Sequence, residues 1–107
     1  MAVTACADRT AFNEQLEAAG EKAVFVDFTA TWCGPCQKIK EPFHQLAKDN
    51  PNGVFLSVDV DENEEVAEKY GVNAMPTFMV FKSKEMQESF TGADIKRLEE
   101  LVKKYTS

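Results

Sequence analysis

The chain is poor in histidine, with one in 107 residues, and its three cysteines cannot all pair within one molecule. An odd cysteine count is a poor framework for a disulfide-stapled secreted scaffold. A reducing compartment is expected instead, most simply the cytoplasm. Cations are also in deficit, 12 lysines and arginines against 18 acidic residues, for a net charge of −6. Nucleic acid and anionic membranes need a cationic face, so neither is expected as the main partner. No apolar run approaches the ~20 residues of a membrane span. The opening Met-Ala-Val-Thr-Ala-Cys has no basic segment followed by a long apolar one, so no secretory signal is expected. Repeats and linkers are missing as well, and the length suits one domain over residues 1–107, with chain enough for a single core. At 44% hydrophobic residues, packing is expected rather than disorder.

What is present centres on Thr31-Trp32-Cys33-Gly34-Pro35-Cys36, directly after the apolar run Ala23 to Phe28. Two cysteines at this spacing either ligate a metal or cycle between dithiol and disulfide. A closed zinc site wants four ligands, usually from paired motifs, and the remaining candidates are Cys6 and His44. On a helix, His44 would stand ~12 Å along the axis from Cys36, too far to share an ion. No metal is expected, and redox chemistry is the better reading of a strand followed by a dithiol. Pro35 suits a first helical turn, where its missing N–H costs nothing, and Gly34 leaves room for another backbone to approach. The run Gln37 to Asp49 reads as helix, with Ile39, Phe43, Leu46 and Ala47 on one face. Cys33 is thereby placed at a helix N-terminus, exposed, where unpaired N–H groups favour a thiolate. Cys36 follows one turn deeper and more buried. One sulfur is placed to attack and the other to resolve.

Asp27 breaks the apolar run. By strand alternation it shares a face with Ala23 and Phe25, while Val24, Val26 and Phe28 point the other way. A carboxylate there is either at a wet strand end or buried and functional. Because sites in open α/β sheets cluster at the carboxyl ends of strands, and this strand leads into the dithiol, burial is expected. Burial raises a carboxyl pKa and makes Asp27 a candidate proton acceptor for Cys36.

Elsewhere the chain alternates short strands and helices. Ala2 to Ala5 is a weak strand, followed by Cys6, which is either an inert packing residue or a regulatory thiol. Thr10 to Ala19 is helical, capped by Asp8 or Thr10 and stopped by Gly20. Pro42 should bend the helix after the dithiol, and His44 is expected to be packed or solvent-facing rather than catalytic. Asn50-Pro51-Asn52-Gly53 is a turn and Val54 to Asp59 a strand, completing a β-α-β unit. The acidic residues from Asp59 to Glu65 lack the frame of a calcium loop and read as a solvated surface, with Asn63 capping a short helix through Tyr70. Ala74-Met75-Pro76-Thr77 precedes a strand from Phe78 to Lys82, where a trans loop proline is the ordinary expectation. A hairpin follows to Met86–Thr91 through Ser83-Lys84-Glu85, which lacks the glycine that primed turns prefer. Asp94 to Tyr105 is an amphipathic closing helix with Ile95, Leu98, Leu101 or Val102, and Tyr105 on its apolar face.

Trp-Cys-Gly-Pro-Cys after a Val-Asp-Phe strand, with Ala-Met-Pro-Thr downstream, resembles the thioredoxin family over essentially the whole chain. The resemblance implies an α/β fold in which four helices flank a mixed five-stranded sheet. It implies a general protein-disulfide reductase without a bound cofactor, with Cys33 as nucleophile, Cys36 as resolving thiol and Asp27 as proton acceptor. It further implies a cis Pro76 against the sulfurs, and a substrate-binding rim of Trp32, Gly34, Pro35, Met75, Pro76, Gly92 and Ala93. Electrons are expected from a separate NADPH-dependent thioredoxin reductase, and the implied targets are peroxiredoxins, ribonucleotide reductase and methionine sulfoxide reductases. Bacterial-type relatives often carry a lysine near the aspartate; Ser57 stands at the matching position. Two rivals remain. Secretory oxidases and isomerases usually carry His rather than Pro between the cysteines, and a redox-gated binding module would need only the rim.

Overall fold

The computed structural model describes residues 2–107. The elements run β1 (Val3–Ala5), α1 (Arg9–Ala19), β2 (Val24–Thr29), α2 (Gly34–Asp49), β3 (Val54–Asp59), α3 (Glu64–Lys69), β4 (Thr77–Lys82), β5 (Glu85–Thr91) and α4 (Ile95–Thr106). One sheet of order β1-β3-β2-β4-β5 joins them. β1, β3 and β2 pair in parallel, whereas β4 and β5 are antiparallel. The mixed five-stranded sheet with four helices is the architecture that the resemblance implies.

Alternation along β2 decides which helix lies where. Phe25 packs with Ile39, Phe43 and Ala47 of α2 and Leu98, Leu101 and Val102 of α4. Val24, Val26 and Phe28 pack on the opposite face with Phe12 and Leu16 of α1 and Val66 of α3. A strand covered on both faces needs the near-continuous apolar sequence seen here. Aromatic rings form much of the first layer, with Phe25 and Phe55 stacked at 4.9 Å and Phe43 meeting Phe55 edge-on at 5.5 Å.

Helix ends follow their local chemistry. Asp8 caps α1, its carboxylate accepting the Ala11 N–H at 2.8 Å, and Asp94 and Asn63 do the same for α4 and α3. α2 runs through Pro42 as one element, the Lys38 carbonyl forgoing its usual donor. Ile95, expected on the apolar face of α4, is exposed; it is the helix's first residue and overhangs the core. Cys6 is the inert alternative, fully buried, with burial and then Asp8 pushing its thiol up to about 11.

The β4–β5 connection is tighter than the missing glycine suggests. Lys82 pairs with Glu85, leaving a two-residue turn in which Ser83 and Lys84 adopt φ of 51° and 69°. Two positive φ values are the demand of a type I′ turn, and non-glycine residues meet it at roughly 1–2 kcal/mol each. An ion pair between Lys84 and Glu17 at 2.6 Å ties the turn to α1, but exposed pairs contribute only ~0–1 kcal/mol. Replacing Ser83-Lys84 by Asn-Gly should therefore raise stability by about 0.5–1 kcal/mol despite losing that pair. Urea unfolding checks this, and an unchanged or lowered midpoint contradicts the strain assigned to the turn.

Candidate active site

The site sits where β2 ends and α2 begins. Ala30, the first residue past β2, turns the chain: its carbonyl accepts the Cys33 N–H at 3.2 Å and the Gln37 side-chain amide at 3.3 Å. Cys33 is the N-cap of α2, and its Sγ accepts the Cys36 N–H at 3.3 Å. Pro35 occupies the first turn, where its ring fits without losing a hydrogen bond. Cys33 and Cys36 are joined as a disulfide with Cα atoms 5.3 Å apart. The two sulfurs that the sequence pairs are thus covalent partners at a helix N-terminus.

Cys33 was expected to be exposed, and this is corrected: it retains 6% of its surface, against 1% for Cys36. Both cysteines pack with Ala30, and Val60 and Met75 close over them. The Met75 carbonyl oxygen lies 3.6 Å from Cys33 Sγ, a contact from 42 residues away that local sequence does not reveal. The Met75–Pro76 bond is cis, as the resemblance implies, and not the trans bond of an ordinary loop.

The residues expected to form the rim differ in exposure. Trp32 is 67% exposed; Gly34, Pro35, Gly92 and Ala93 are exposed and Met75 is half-buried. Pro76 is buried, so its backbone contributes more than its ring. The Gly92 N–H donates to the Pro76 carbonyl at 2.9 Å, which pins the two loops together. Gly92 holds φ of 106°, a conformation that L side chains rarely adopt. Sequence reasoning missed Asp61, which it placed in a solvated acidic surface. Its Oδ2 accepts the Trp32 indole N–H at 2.8 Å and fixes the exposed ring. Nothing in sequence separated Asp61 from its acidic neighbours.

Asp27 is buried, with 4% of its surface exposed, and its Oδ1 has no hydrogen-bond partner. Burial raises its pKa from 3.8 to about 7, with Lys40 pulling the other way. Its register partner on β3 is Ser57, so no cation reaches it from that strand. A cleft of about 220 Å³ connects Asp27 to the surface past Lys40, half-buried His44 and Ser57. A carboxyl poised near neutrality on the strand that leads into the dithiol can take or return a proton at working pH.

The thioredoxin family model matches residues 3–106. The chain is 50% identical to a thioredoxin of Homo sapiens over 91 residues, 85% of this chain and 87% of the relative. It is 46% identical to one of Ophiophagus hannah over 98 residues, 92% and 93% of the two chains. Among solved structures, Fasciola hepatica thioredoxin superposes with a TM-score of 0.93 at 37% identity, covering 95% of this chain and 98% of that one. Reduced Schistosoma mansoni thioredoxin gives 0.92 at 39% identity, with 96% and 97% covered.

Asp27 also makes stability depend on pH. Its folded pKa lies above the unfolded value, so the stability of the neutral carboxyl is fully present below pH ~4 and is lost as pH rises through about 7. Asp27→Asn should accordingly stabilise the oxidised protein by roughly 1–3 kcal/mol at pH 8.5 and change it little at pH 4. Denaturant curves at the two pH values measure this. An equal effect at both would contradict burial of an ionising carboxyl.

Proposed function

The chain belongs to the thioredoxin family and acts by dithiol–disulfide exchange as a protein-disulfide reductase, and we propose that Cys33 attacks, Cys36 resolves and Asp27 accepts the proton. The observation that carries this order is the asymmetry of α2: Cys33 is the cap, facing the rim, and Cys36 lies one turn inside.

In the reduced protein, the N-terminal N–H groups and dipole of α2 favour Cys33 as thiolate. The thiolate attacks one sulfur of a substrate disulfide, forming a mixed disulfide and expelling the other substrate sulfur as thiolate. Cys36 then gives its proton to the Asp27 carboxylate. Its sulfur keeps the electron pair and bonds to Cys33 Sγ, and the second substrate sulfur leaves. Two electrons pass to the substrate, and the Cys33–Cys36 disulfide is the spent state.

Trp32, Gly34, Pro35, Met75, Pro76, Gly92 and Ala93 form the docking rim. An exposed indole beside glycine and proline gives an apolar surface of low sequence specificity, and the Met75 backbone suits pairing with an extended substrate segment. Family membership implies a reductase and disulfide-containing target proteins. The specific reading is an NADPH-dependent thioredoxin reductase as electron donor, with peroxiredoxins, ribonucleotide reductase and methionine sulfoxide reductases as targets. No helix of the described residues is long and apolar enough to cross a membrane. A cytoplasmic setting is supported by the odd cysteine count and the buried thiol of Cys6.

Trapping tests the order of the two sulfurs. Cys36→Ser should accumulate covalent adducts with disulfide substrates such as insulin, whereas Cys33→Ser should form none under the same conditions. Equal adduct yield from both variants, read by non-reducing electrophoresis and mass spectrometry, would overturn the assignment.

A further inference from the structure

Among the described residues, three polar side chains are buried: Asp27, Asn63 and Thr77. Asp27 belongs to the site, and Asn63 caps α3 and donates to the Cys6 carbonyl at 3.2 Å. Thr77 opens β4 and pairs with Phe28 on β2 and Thr91 on β5, so the sheet fixes its backbone from both sides. A valine has the same shape and would pack there with no hydroxyl to satisfy. The Thr77 hydroxyl instead donates to the Ala74 carbonyl at 2.6 Å. That bond spans Pro76, which has no N–H to offer. Among the described residues, Asn73, Ala74 and Met75 donate no backbone–backbone hydrogen bond. Two hydrogen bonds reach this segment from its flanks, one from Thr77 Oγ1 to Ala74 and one from the Gly92 N–H to Pro76. Met75 lies between the two anchors, half-buried, with its carbonyl oxygen 3.6 Å from Cys33 Sγ.

We propose that Thr77 is a positioning residue for substrate docking: its hydroxyl sets the plane of the Ala74–Met75 peptide and so aims the Met75 N–H at an extended substrate segment. The inference rests on the reading that Met75 pairs with substrate through its backbone, and adds the side chain that aims it. A trans peptide is planar, with its C=O and N–H opposed. With the Ala74 carbonyl turned toward Thr77, the Met75 N–H faces the opposite way, and the peptide turns only by breaking that bond. An amide already aimed loses less freedom when it pairs. The substrates favoured are therefore peptides with amide backbone beside the cystine, rather than disulfides in general.

The test uses Thr77→Val, which keeps the shape and removes the hydroxyl, and Thr77→Ser, which keeps the hydroxyl and loses a methyl. Stopped-flow oxidation of each reduced protein and of the parent is followed with three probes. The first is a peptide closed by one cystine, and the second is the same peptide with backbone esters in place of the amides flanking the cystine. The third, bis(hydroxyethyl) disulfide, has no backbone to pair. Thr77→Val should slow the amide peptide roughly five-fold, the scale of one lost hydrogen bond, and leave the other two probes at parent rates. Thr77→Ser should restore the amide peptide. Equal slowing of all three probes by Thr77→Val, or failure of Thr77→Ser to restore the rate, overturns the inference. If the parent prefers the amide peptide and Thr77→Val prefers it just as strongly, the inference fails while the pairing at Met75 stands. A parent that reduces both peptides at one rate sinks that pairing itself.

Discussion

The backbone at the start of α2 dictates the chemistry. Four N–H groups at a helix N-terminus lack intrahelical partners, and in this chain one of them, from Cys36, is satisfied by the sulfur of Cys33. A sulfur serving as helix cap is held in one place and sits in the positive end of the helix field. The same turn sets Cys36 three residues inside, with the Cα atoms 5.3 Å apart across the disulfide. Everything that reaches this turn from elsewhere serves it. Ala30 anchors its backbone, the Met75 carbonyl approaches the outer sulfur, and Gly92 holds the Pro76 loop in place.

A second constraint opposes stability. An ionisable carboxyl packed into the sheet costs free energy whenever it is charged, and Asp27 lacks even a hydrogen bond at Oδ1. A fold can carry such a group only if the rest of the core compensates. The stacked and edge-on rings of Phe25, Phe43 and Phe55 lie on the same face as Asp27 and fill the space below it. The cleft beside Asp27 is lined by Lys40, His44 and Ser57 and does not include the two cysteines. Stability and reactivity are separated along one strand: Phe25 packs, and two residues later Asp27 titrates.

Much of the fold is legible in sequence because its signals are local. The apolar run before the dithiol, the three-to-four spacing of Ile39, Phe43 and Ala47, and the caps at Asp8 and Asn63 depend on neighbours a few positions away. The face of Asp27 follows from period-two alternation alone. What was not legible depends on distant contacts. Val60 and Met75 pack over Cys33 from distant parts of the chain, and the anchoring of Trp32 comes from Asp61 on another loop. The cis bond before Pro76 was reachable only through the family resemblance, since local sequence favours trans. Ser83 and Lys84 take positive φ against their own preference, because register between β4 and β5 leaves only two residues to turn.

The central claim is that the N-terminus of α2 keeps the outer sulfur ionised at working pH. The direct measurement is the pH dependence of iodoacetamide alkylation of reduced Cys36→Ser protein, in which Cys6 is buried at 1% of its surface and the helix cap Cys33 retains 6%. An alkylation midpoint well below the ~8.5 of a free thiol agrees with the account. A rate that keeps climbing through that value contradicts it.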